Sequence, residues 1–414
     1  MKVGLFIGHN LPESGGKYSL TKEIFQSILE FGAESGHEFV LFGFNEQPPH
    51  EIMGYDHIEY ISLYRGYYER LKSKASRTVK AIRKKLRHPF SRVQIEGWYE
   101  DTILKHIKVH AIDIVWSLSA ECPSMEVPYI ITVLDLQHRI QPFFPEVSAK
   151  GVWDRREQEN TICFRRAAFL ITGTETGKNE IESFYQVSRE RIKVLPLPSP
   201  KFALGVRLQD KNQILDKYKL PRNYLFYPAQ FWPHKNHFGL LMAIKILREK
   251  HGLALPVVFV GSDMGNLSYV KQAAKEHGLQ EQVHFLGFVP HHDLIALYEN
   301  AFALTFVSYF GPDNLPPLEA FALSCPVIAS RISGAQAQLG DAALLADPKE
   351  PDKIAEAIKL LWDDESLREK LVKRGLVRAN KWTARDYFNG LCSILREFEP
   401  VRECWSNSMD DKKS

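Results

Sequence analysis

The sequence predicts an α/β protein built from two Rossmann-like domains that face each other across a cleft. Three observations lead to this prediction. Short apolar segments that suit buried strands alternate with longer segments of helical periodicity. This alternation runs twice along the chain, and a proline-rich segment at residues 195–201 separates the two runs. The length of 414 residues is also too great for one ordinary core.

The first strand–helix set begins at residue 2. Residues 2–7 form an apolar run that suits a buried strand, and residues 18–31 carry Leu20, Ile24 and Ile28 at helical spacing. The loop between them ends in the pair Gly15-Gly16. The other elements predicted for residues 1–198 are strands at 38–44, 111–117, 129–134, 169–173 and 192–195 and helices at 153–168 and 176–185.

The second set follows the proline-rich segment, in which three prolines within five residues preclude a helix and stiffen an extended link. We predict that this segment is the interdomain hinge. For residues 199–381 the sequence predicts strands at 224–228, 256–261, 283–286 and 301–307, helices at 238–250, 269–277, 291–300, 354–362 and 367–380, and a helix–strand unit around Pro316 and Pro326. A last helix is predicted at 385–398, within a segment 382–400, before a polar, mobile tail at 401–414.

The composition is that of a soluble globular protein, with 44% apolar and 25% charged residues. A net charge of +3 does not indicate a nucleic-acid binder. Five scattered cysteines without C-x-x-C spacing favour reduced thiols over a disulfide framework or a zinc site. The first apolar run is too short for a signal peptide, and no run approaches the ~18 apolar residues of a membrane span. We expect a cytoplasmic protein without a bound metal or resident cofactor.

Residues 64–92 are the exception in charge, with eleven Lys and Arg against one acid, Glu69. Five apolar residues fall on one helical stripe within this segment: Leu71, Ala75, Val79, Ile82 and Leu86. A basic amphipathic helix over 65–92 suits an anionic membrane surface, which would place the protein at the periphery of the inner face of the membrane. The alternative is a solvated helix that packs its stripe on its own domain. The sequence leaves both open.

Three strand-to-helix junctions carry groups that suit a phosphorylated ligand. Gly15-Gly16 allows close approach of backbone to a phosphate, although most such pairs are plain turns and no G-x-G-x-x-G is present. Lys235 is predicted in the first turn of the helix at 238–250, where the helix dipole disfavours a cation unless an anion binds. The alternative is a solvent-directed lysine.

The third junction, residues 307–330, is the one around which the chain is organised. Turn-forming residues 311–314 follow a strand, and Pro316 and Pro317 start a helix whose first turn would hold Glu319. The simple interpretation of Glu319 is a carboxylate that complements the helix dipole. A carboxylate at the carboxyl edge of a parallel sheet also suits a ribose diol. Taken together, the three junctions describe a site for a nucleotide-diphosphate donor.

At this point the sequence resembles the family 4 retaining glycosyltransferases of GT-B fold, over nearly the whole chain. The resemblance is carried by ESGGKYSLTKEI, TVLDLQHRIQPFFPE, FYPAQFWPHKNH, VHFLGFVPHHDLIALYENA, YFGPDNLPPLEAFALSCPVI and NKWTARDYF. It implies that the segment 382–400 crosses back to the first domain, which would carry the acceptor site.

The resemblance also implies roles for individual residues. Ten residues would bind the donor through its diphosphate, base, ribose or sugar. They are Gly15, Gly16, Gln230, Lys235, Phe288, Val289, Asp313, Asn314, Leu315 and Glu319. Amides of the loop 311–315 would be presented to sugar and phosphate. Catalysis would involve Lys235, Asp135 and His138.

Three positions depart from the family pattern. Gln230 replaces the usual diphosphate-binding arginine, Gly311 replaces the first glutamate of a paired-glutamate motif, and Leu134 replaces the histidine before Asp135. The first two occur together in one branch of the family and imply altered handling of the sugar.

The function expected from this pattern is a retaining transfer of a sugar, expected to be a hexose, from a nucleotide-diphosphate donor to a glycan or lipid-linked glycan acceptor. An epimerase or phosphorylase of the same fold is the first alternative. A non-catalytic nucleotide-sugar-binding subunit is the second, and only turnover separates it from an enzyme.

Overall fold

The computed structural model describes residues 1–6, 16–43, 45–63, 97–118, 126–206, 208 and 210–405. Within these ranges the chain forms two parallel sheets with helices on their faces, which confirms the predicted α/β class. The basic stretch 65–92 lies outside the described residues. No helix in the described part of the chain is both long enough and apolar enough to cross a membrane.

The first sheet contains seven parallel strands among the described residues, in the order β3-β2-β1-β4-β5-β6-β7. Its strands are β1 (Lys2–Phe6), β2 (Glu38–Gly43), β3 (Ile58–Ser62), β4 (Ile114–Ser117), β5 (Tyr129–Thr132), β6 (Phe169–Thr172) and β7 (Ile192–Val194). The accompanying helices are α1 (Gly16–Phe31), α2 (Gly97–Val109), α3 (Gln137–Ile140), α4 (Pro145–Ser148), α5 (Val152–Arg166) and α6 (Glu175–Tyr185).

The second sheet contains six parallel strands in the described chain, in the order β10-β9-β8-β11-β12-β13. Its strands are β8 (Leu225–Pro228), β9 (Val257–Val260), β10 (Val283–Phe285), β11 (Ala303–Phe306), β12 (Val327–Ser330) and β13 (Ala343–Ala346). The helices are α7 (Gln213–Tyr218), α8 (His237–His251), α9 (Leu267–Glu276), α10 (His291–Asn300), α11 (Leu315–Ala322), α12 (Ala335–Leu339), α13 (Pro351–Asp363) and α14 (Glu365–Ala379).

Strand order in the second sheet determines where a ligand can bind. The chain moves outward from β8 to β10 and then returns to place β11 on the other side of β8. At such a switch point the loops after the two strands diverge and leave a crevice at the carboxyl edge. The two loops in question lead from β8 to α8 and from β11 to α11, and they contain two of the three predicted junctions.

The last helix, α15 (Ala384–Arg402), packs on the first domain. Tyr387, Phe388, Leu391 and Leu395 are buried in the core that also holds β1 and α1. This confirms that the helix crosses back. It continues past the predicted end at residue 398 and includes Pro400, which the prediction placed outside the helix.

Candidate functional site

A cavity of about 450 Å³ opens between the two domains at the carboxyl edges of both sheets. Nine of the predicted site residues line it: Asp135, Gln230, Lys235, Phe288, Val289, Asp313, Asn314, Leu315 and Glu319. Of the other predicted residues, Gly16 begins α1 and Gly15 lies outside the described ranges. Folding therefore gathers side chains that are up to 184 residues apart in the sequence around one space.

Lys235 lies in a 3-10 turn (Pro233–Lys235) that precedes α8, so the predicted position in the first turn of that helix was wrong. Its ammonium lies 5.2 Å from the centre of the Phe306 ring. Burial lowers the pKa of Lys235 to about 8, against the opposing effect of the Asp135 and Glu146 charges. Among the described residues no carboxylate lies within 4 Å of it. A half-buried cation without an ion pair is available for an anionic ligand.

Asn236 fixes the backbone that carries Lys235, and the sequence reasoning missed it. Its backbone is left-handed, with φ of 55°, and its side-chain oxygen caps α8 by accepting from the Gly239 amide at 3.0 Å. Its amide nitrogen donates to the carbonyls of Val307 (3.0 Å) and Pro348 (2.8 Å). Asparagine tolerates this conformation and is a favoured N-cap, so an asparagine two residues before the predicted start of the helix was the available signal.

Substituting Asn236 with alanine should lower the free energy of unfolding by about 2–4 kcal/mol, because the cap is lost and two buried carbonyls lose their donor. Chemical denaturation measures this. Asn236→Gly keeps the left-handed backbone and separates strain from lost hydrogen bonds. Asn300→Ala is the matched control, since Asn300 also donates to two carbonyls but at the surface. Equal losses in Asn236→Ala and Asn300→Ala would contradict the role assigned to Asn236.

Glu146 joins the first domain to the turn that holds Lys235. One of its carboxylate oxygens accepts from Nδ1 of His234 at 2.5 Å and from the His234 backbone amide at 3.2 Å. Nearby, the Gln141 side chain donates to the Tyr309 carbonyl at 3.0 Å. Burial would raise the pKa of Glu146, but the His234 hydrogen bonds hold it below its ordinary value. The segment of the first domain from 141 to 146 therefore forms hydrogen bonds with both loops at the switch point.

The loop between β11 and α11 is braced from within and from α12. Gly311 has φ of 134°, and the Asn314 side chain donates to the Gly311 carbonyl at 2.9 Å. Gln338 accepts from the Asn314 amide (3.0 Å) and donates to the Asn314 carbonyl (2.9 Å). The expectation that this whole loop presents amides to a ligand was wrong at Asn314, whose amide is already used. No sequence signal indicated Gln338, because it lies 24 residues away on another helix.

Glu319 lies in the second turn of α11, since the helix begins at Leu315, so the predicted position in the first turn was wrong. Its side chain is 7% exposed and accepts a hydrogen bond from the Tyr298 hydroxyl at 2.7 Å. Burial raises the pKa of Glu319 to about 7. A simple dipole-complementing role predicts an exposed carboxylate beside the first amides, and this side chain is buried at the cavity wall instead.

Asp135 and Asp313 line the cavity from opposite domains, and the Asp135 charge also acts on Glu180. Burial tends to raise the pKa of Asp135, but a 2.7 Å ion pair with Arg156 holds it below its ordinary value. Burial and the Asp135 charge raise the pKa values of Asp313 and Glu180 to about 7. Asp313 reaches across the cleft to Gly173, where a Cβ atom would stand 1.7 Å from its carboxylate. The close approach requires a glycine at 173.

Residues 210–378 match the family model described as glycosyl transferases group 1. The similarity to that group therefore concerns this part of the chain. The match confirms the resemblance noted from the sequence segments. It covers the second domain, which contains both switch-point loops.

Two curated relatives are named for a role in O-antigen synthesis. O-antigen chain mannosyltransferase B of Escherichia coli is 28% identical over 52% of the chain and 57% of its own length. O-antigen chain mannosyltransferase RfbU of Salmonella typhimurium is 27% identical over 62% of the chain and 66% of its own length. The chain thus matches between about half and two thirds of the length of these relatives.

Solved structures show the GT-B architecture over nearly the whole chain. Sucrose-phosphate synthase from Thermosynechococcus elongatus has a TM-score of 0.70 at 16% identity and covers 97% of this chain and 100% of its own. HepE of Anabaena, solved in complex with UDP and glucose, has a TM-score of 0.69 at 13% identity, with 96% and 100% covered. At these identities the likeness concerns the fold alone.

His138 does not line the cavity. Its ring is fully buried, with Nε2 3.2 Å from the Tyr185 hydroxyl, and its carbonyl accepts from the Trp153 indole at 2.7 Å. Burial lowers the pKa of His138 to about 4. This placement does not support the catalytic role predicted for His138, which stays a prediction. The buried ring supports the loop that carries Asp135.

The remaining predicted residues lie near the outer wall of the cavity. Gln230 accepts from the Trp232 indole at 3.1 Å through its side-chain oxygen. Phe288 is 60% exposed, whereas Val289 beside it is buried. An exposed ring next to a buried backbone segment suits a flat ligand such as a base. The roles of these three residues in binding stay predictions.

Proposed function

We propose that this protein transfers a hexosyl group from a nucleotide-diphosphate sugar to a glycan or lipid-linked glycan, with retention of configuration at the anomeric carbon. One observation supports this most: the Lys235 ammonium, which has no ion pair among the described residues, and the buried Glu319 carboxylate line the same cavity at the switch point. A cation for a diphosphate and a two-oxygen acceptor for a ribose diol are the groups that such a donor needs.

In the proposed reaction the bond between the anomeric carbon and the diphosphate oxygen breaks while the acceptor hydroxyl attacks from the same face. Lys235 stabilises the negative charge that develops on the departing diphosphate, without a metal. The departing phosphate oxygen takes the proton of the acceptor hydroxyl. Asp135 faces this region as an anion paired with Arg156, and it would orient the acceptor or stabilise positive charge on the sugar.

Mannose is the sugar that we propose to test first, because two relatives are named as mannosyltransferases. The acceptor would lie on the first-domain side, between Asp135 and the 141–146 segment. The predicted membrane contact of residues 65–92, and with it a location at the inner face of the membrane, rests on charge and periodicity alone and stays a prediction.

The test is a thermal-shift panel of nucleoside diphosphates and nucleotide sugars, followed by transfer assays with the best donor. Binding to the native state raises the apparent melting temperature. We expect UDP or GDP and one of their hexose conjugates to stabilise the protein, and the anomeric configuration of the product, read by NMR, to match the donor. Binding without transfer or hydrolysis would favour a non-catalytic subunit, and an altered donor sugar would favour an epimerase.

The contact between the two domains can be tested at Gly173. A methyl group there would displace the Asp313 carboxylate, so Gly173→Ala should lower kcat by about tenfold to 100-fold through misplacement of the cleft walls. Adding Gly173→Ala to an Asp313→Ala background should have little further effect, because the displaced group is already gone. Full additivity of the two losses in kcat would contradict this explanation.

A further inference from the structure

The Tyr298 hydroxyl lies between two hydrogen-bond acceptors. Tyr298 is fully buried on α10, and its oxygen is 2.7 Å from one carboxylate oxygen of Glu319 and 3.3 Å from the Pro316 carbonyl. A phenol has one proton to donate. When Glu319 is ionised, the hydroxyl satisfies the carboxylate, and the carbonyl then receives no proton from Tyr298.

A neutral Glu319 removes this conflict. The carboxyl group then donates to the tyrosine oxygen, and the hydroxyl donates to the Pro316 carbonyl, so that both contacts are hydrogen bonds. The charged and titratable neighbours favour the same state. Burial and the Glu23 charge from α1 raise the pKa of Glu319 to about 7, against the effect of Tyr298. Glu23 is itself buried and accepts a hydrogen bond from the Lys201 amide at 2.8 Å. Besides Glu319, the thiol of Cys325 also acts on Tyr298.

A ribose diol demands the opposite state. Its two hydroxyls both act as donors toward a single carboxylate, and only the ionised form offers acceptors on both oxygens without a competing proton. An ionised carboxylate has about four acceptor positions, so Glu319 can accept from the Tyr298 hydroxyl and from a diol bound in the cavity that it lines. The free protein and the complex therefore favour different protonation states of the same side chain.

We propose that Tyr298 is a positioning residue that couples nucleotide binding to the release of a proton from Glu319. The proton leaves to solvent as the diol binds, and the Tyr298 hydroxyl turns from the Pro316 carbonyl to the carboxylate. The inference rests on the proposed function, because it requires a ribose at this site. It predicts a nucleotide affinity that falls as pH drops through the neutral range.

Isothermal titration calorimetry with UDP-glucose and GDP-mannose tests the coupling. Their diphosphate groups do not titrate near neutral pH, so buffers of different ionisation enthalpy report protons exchanged by the protein alone. We expect wild type to release about one proton more than Glu319→Gln at pH 6, and the difference to vanish by pH 8. The Glu319→Gln reference removes contributions from Lys235 and Asp313.

Tyr298→Phe should move the midpoint of proton release to higher pH, because the net effect of the Tyr298 hydroxyl is to lower the pKa of Glu319 in the free protein. Tyr224→Phe is the matched control: Tyr224 is equally buried, and its hydroxyl donates to the Leu297 carbonyl at 2.6 Å. Its midpoint should stay that of wild type. An unchanged midpoint in Tyr298→Phe would contradict the positioning role and leave Tyr298 with a structural role only.

The wild-type comparison does not depend on either tyrosine variant folding. Equal proton release by wild type and Glu319→Gln, with binding intact, would overturn this inference and leave the proposed function standing. Failure of both nucleotide sugars to bind wild type at any pH would overturn the proposed function and this inference together.

Discussion

Lys235→Ala should abolish most of the donor affinity and lower turnover further. Losing one charge-assisted contact costs about 1.5–3 kcal/mol, which corresponds to a roughly 10-fold to 150-fold weaker Kd. The loss in kcat should be at least as large, since the charge on the leaving diphosphate is greatest in the transition state. Calorimetry with UDP and GDP and a transfer assay measure the two effects. Lys250→Ala, at the exposed far end of α8, is the control.

The pH dependence of diphosphate affinity gives Lys235 a second test. Its pKa of about 8 in the free protein means that the ammonium is charged at neutral pH and loses its proton as pH rises through 8. Wild-type affinity for the diphosphate should therefore decline above pH 8, and Lys235→Ala should show no such decline. Unchanged affinity and turnover in Lys235→Ala would contradict the assignment of the cation to the diphosphate.

Glu319→Gln should weaken nucleotide binding while it stabilises the protein near neutral pH. The variant keeps the shape but offers one acceptor oxygen in place of two, so a ribonucleotide should lose more affinity than its 2′-deoxy analogue does. Calorimetry of both ligands measures this discrimination. Glu276→Gln, an exposed carboxylate that bonds to Gln272, is the matched control. If wild type and Glu319→Gln discriminate equally between the ribonucleotide and its 2′-deoxy analogue, Glu319 has a purely structural role.

The stability effect of Glu319→Gln has a definite pH window. The native state keeps the Glu319 proton up to about pH 7, whereas the unfolded chain loses it near the ordinary value of 4.5. The unfolded state thus binds fewer protons between these pH values, and the wild-type free energy of unfolding falls as pH rises through the window. Denaturation of both proteins at pH 5 and pH 7 should show the relative advantage of the variant growing with pH.

Local pattern predicted most strands of the two sheets, because these strands are short apolar runs between turns, but it missed β3 and β13. It could not predict how loops fold against each other. The strand β3, Ile58–Ser62, was missed because exposed Glu59 interrupts an apolar run. The positions of Lys235 and Glu319 were each wrong by about one turn, because the 3-10 turn and the start of α11 depend on contacts made by Asn236 and Gln338.

The site was predictable to the extent that its residues follow strands at the switch point. Lys235 and Glu319 met this condition, and both line the cavity. His138 followed a strand too, but the helices α5 and α6 cover it through Trp153 and Tyr185. Whether a side chain after a strand faces a cleft or a neighbouring helix is decided by tertiary packing, which spacing in the sequence does not record.

The return of α15 to the first domain has a consequence for the order of folding during synthesis. The core around β1 and α1 includes Phe388, Leu391 and Leu395, so the domain that a ribosome makes first is complete only when residues near 402 have emerged. The second domain is continuous in sequence and has no such dependence. We therefore expect the second domain to fold first. Until α15 has been made, the first domain exposes an apolar face to which chaperones can bind.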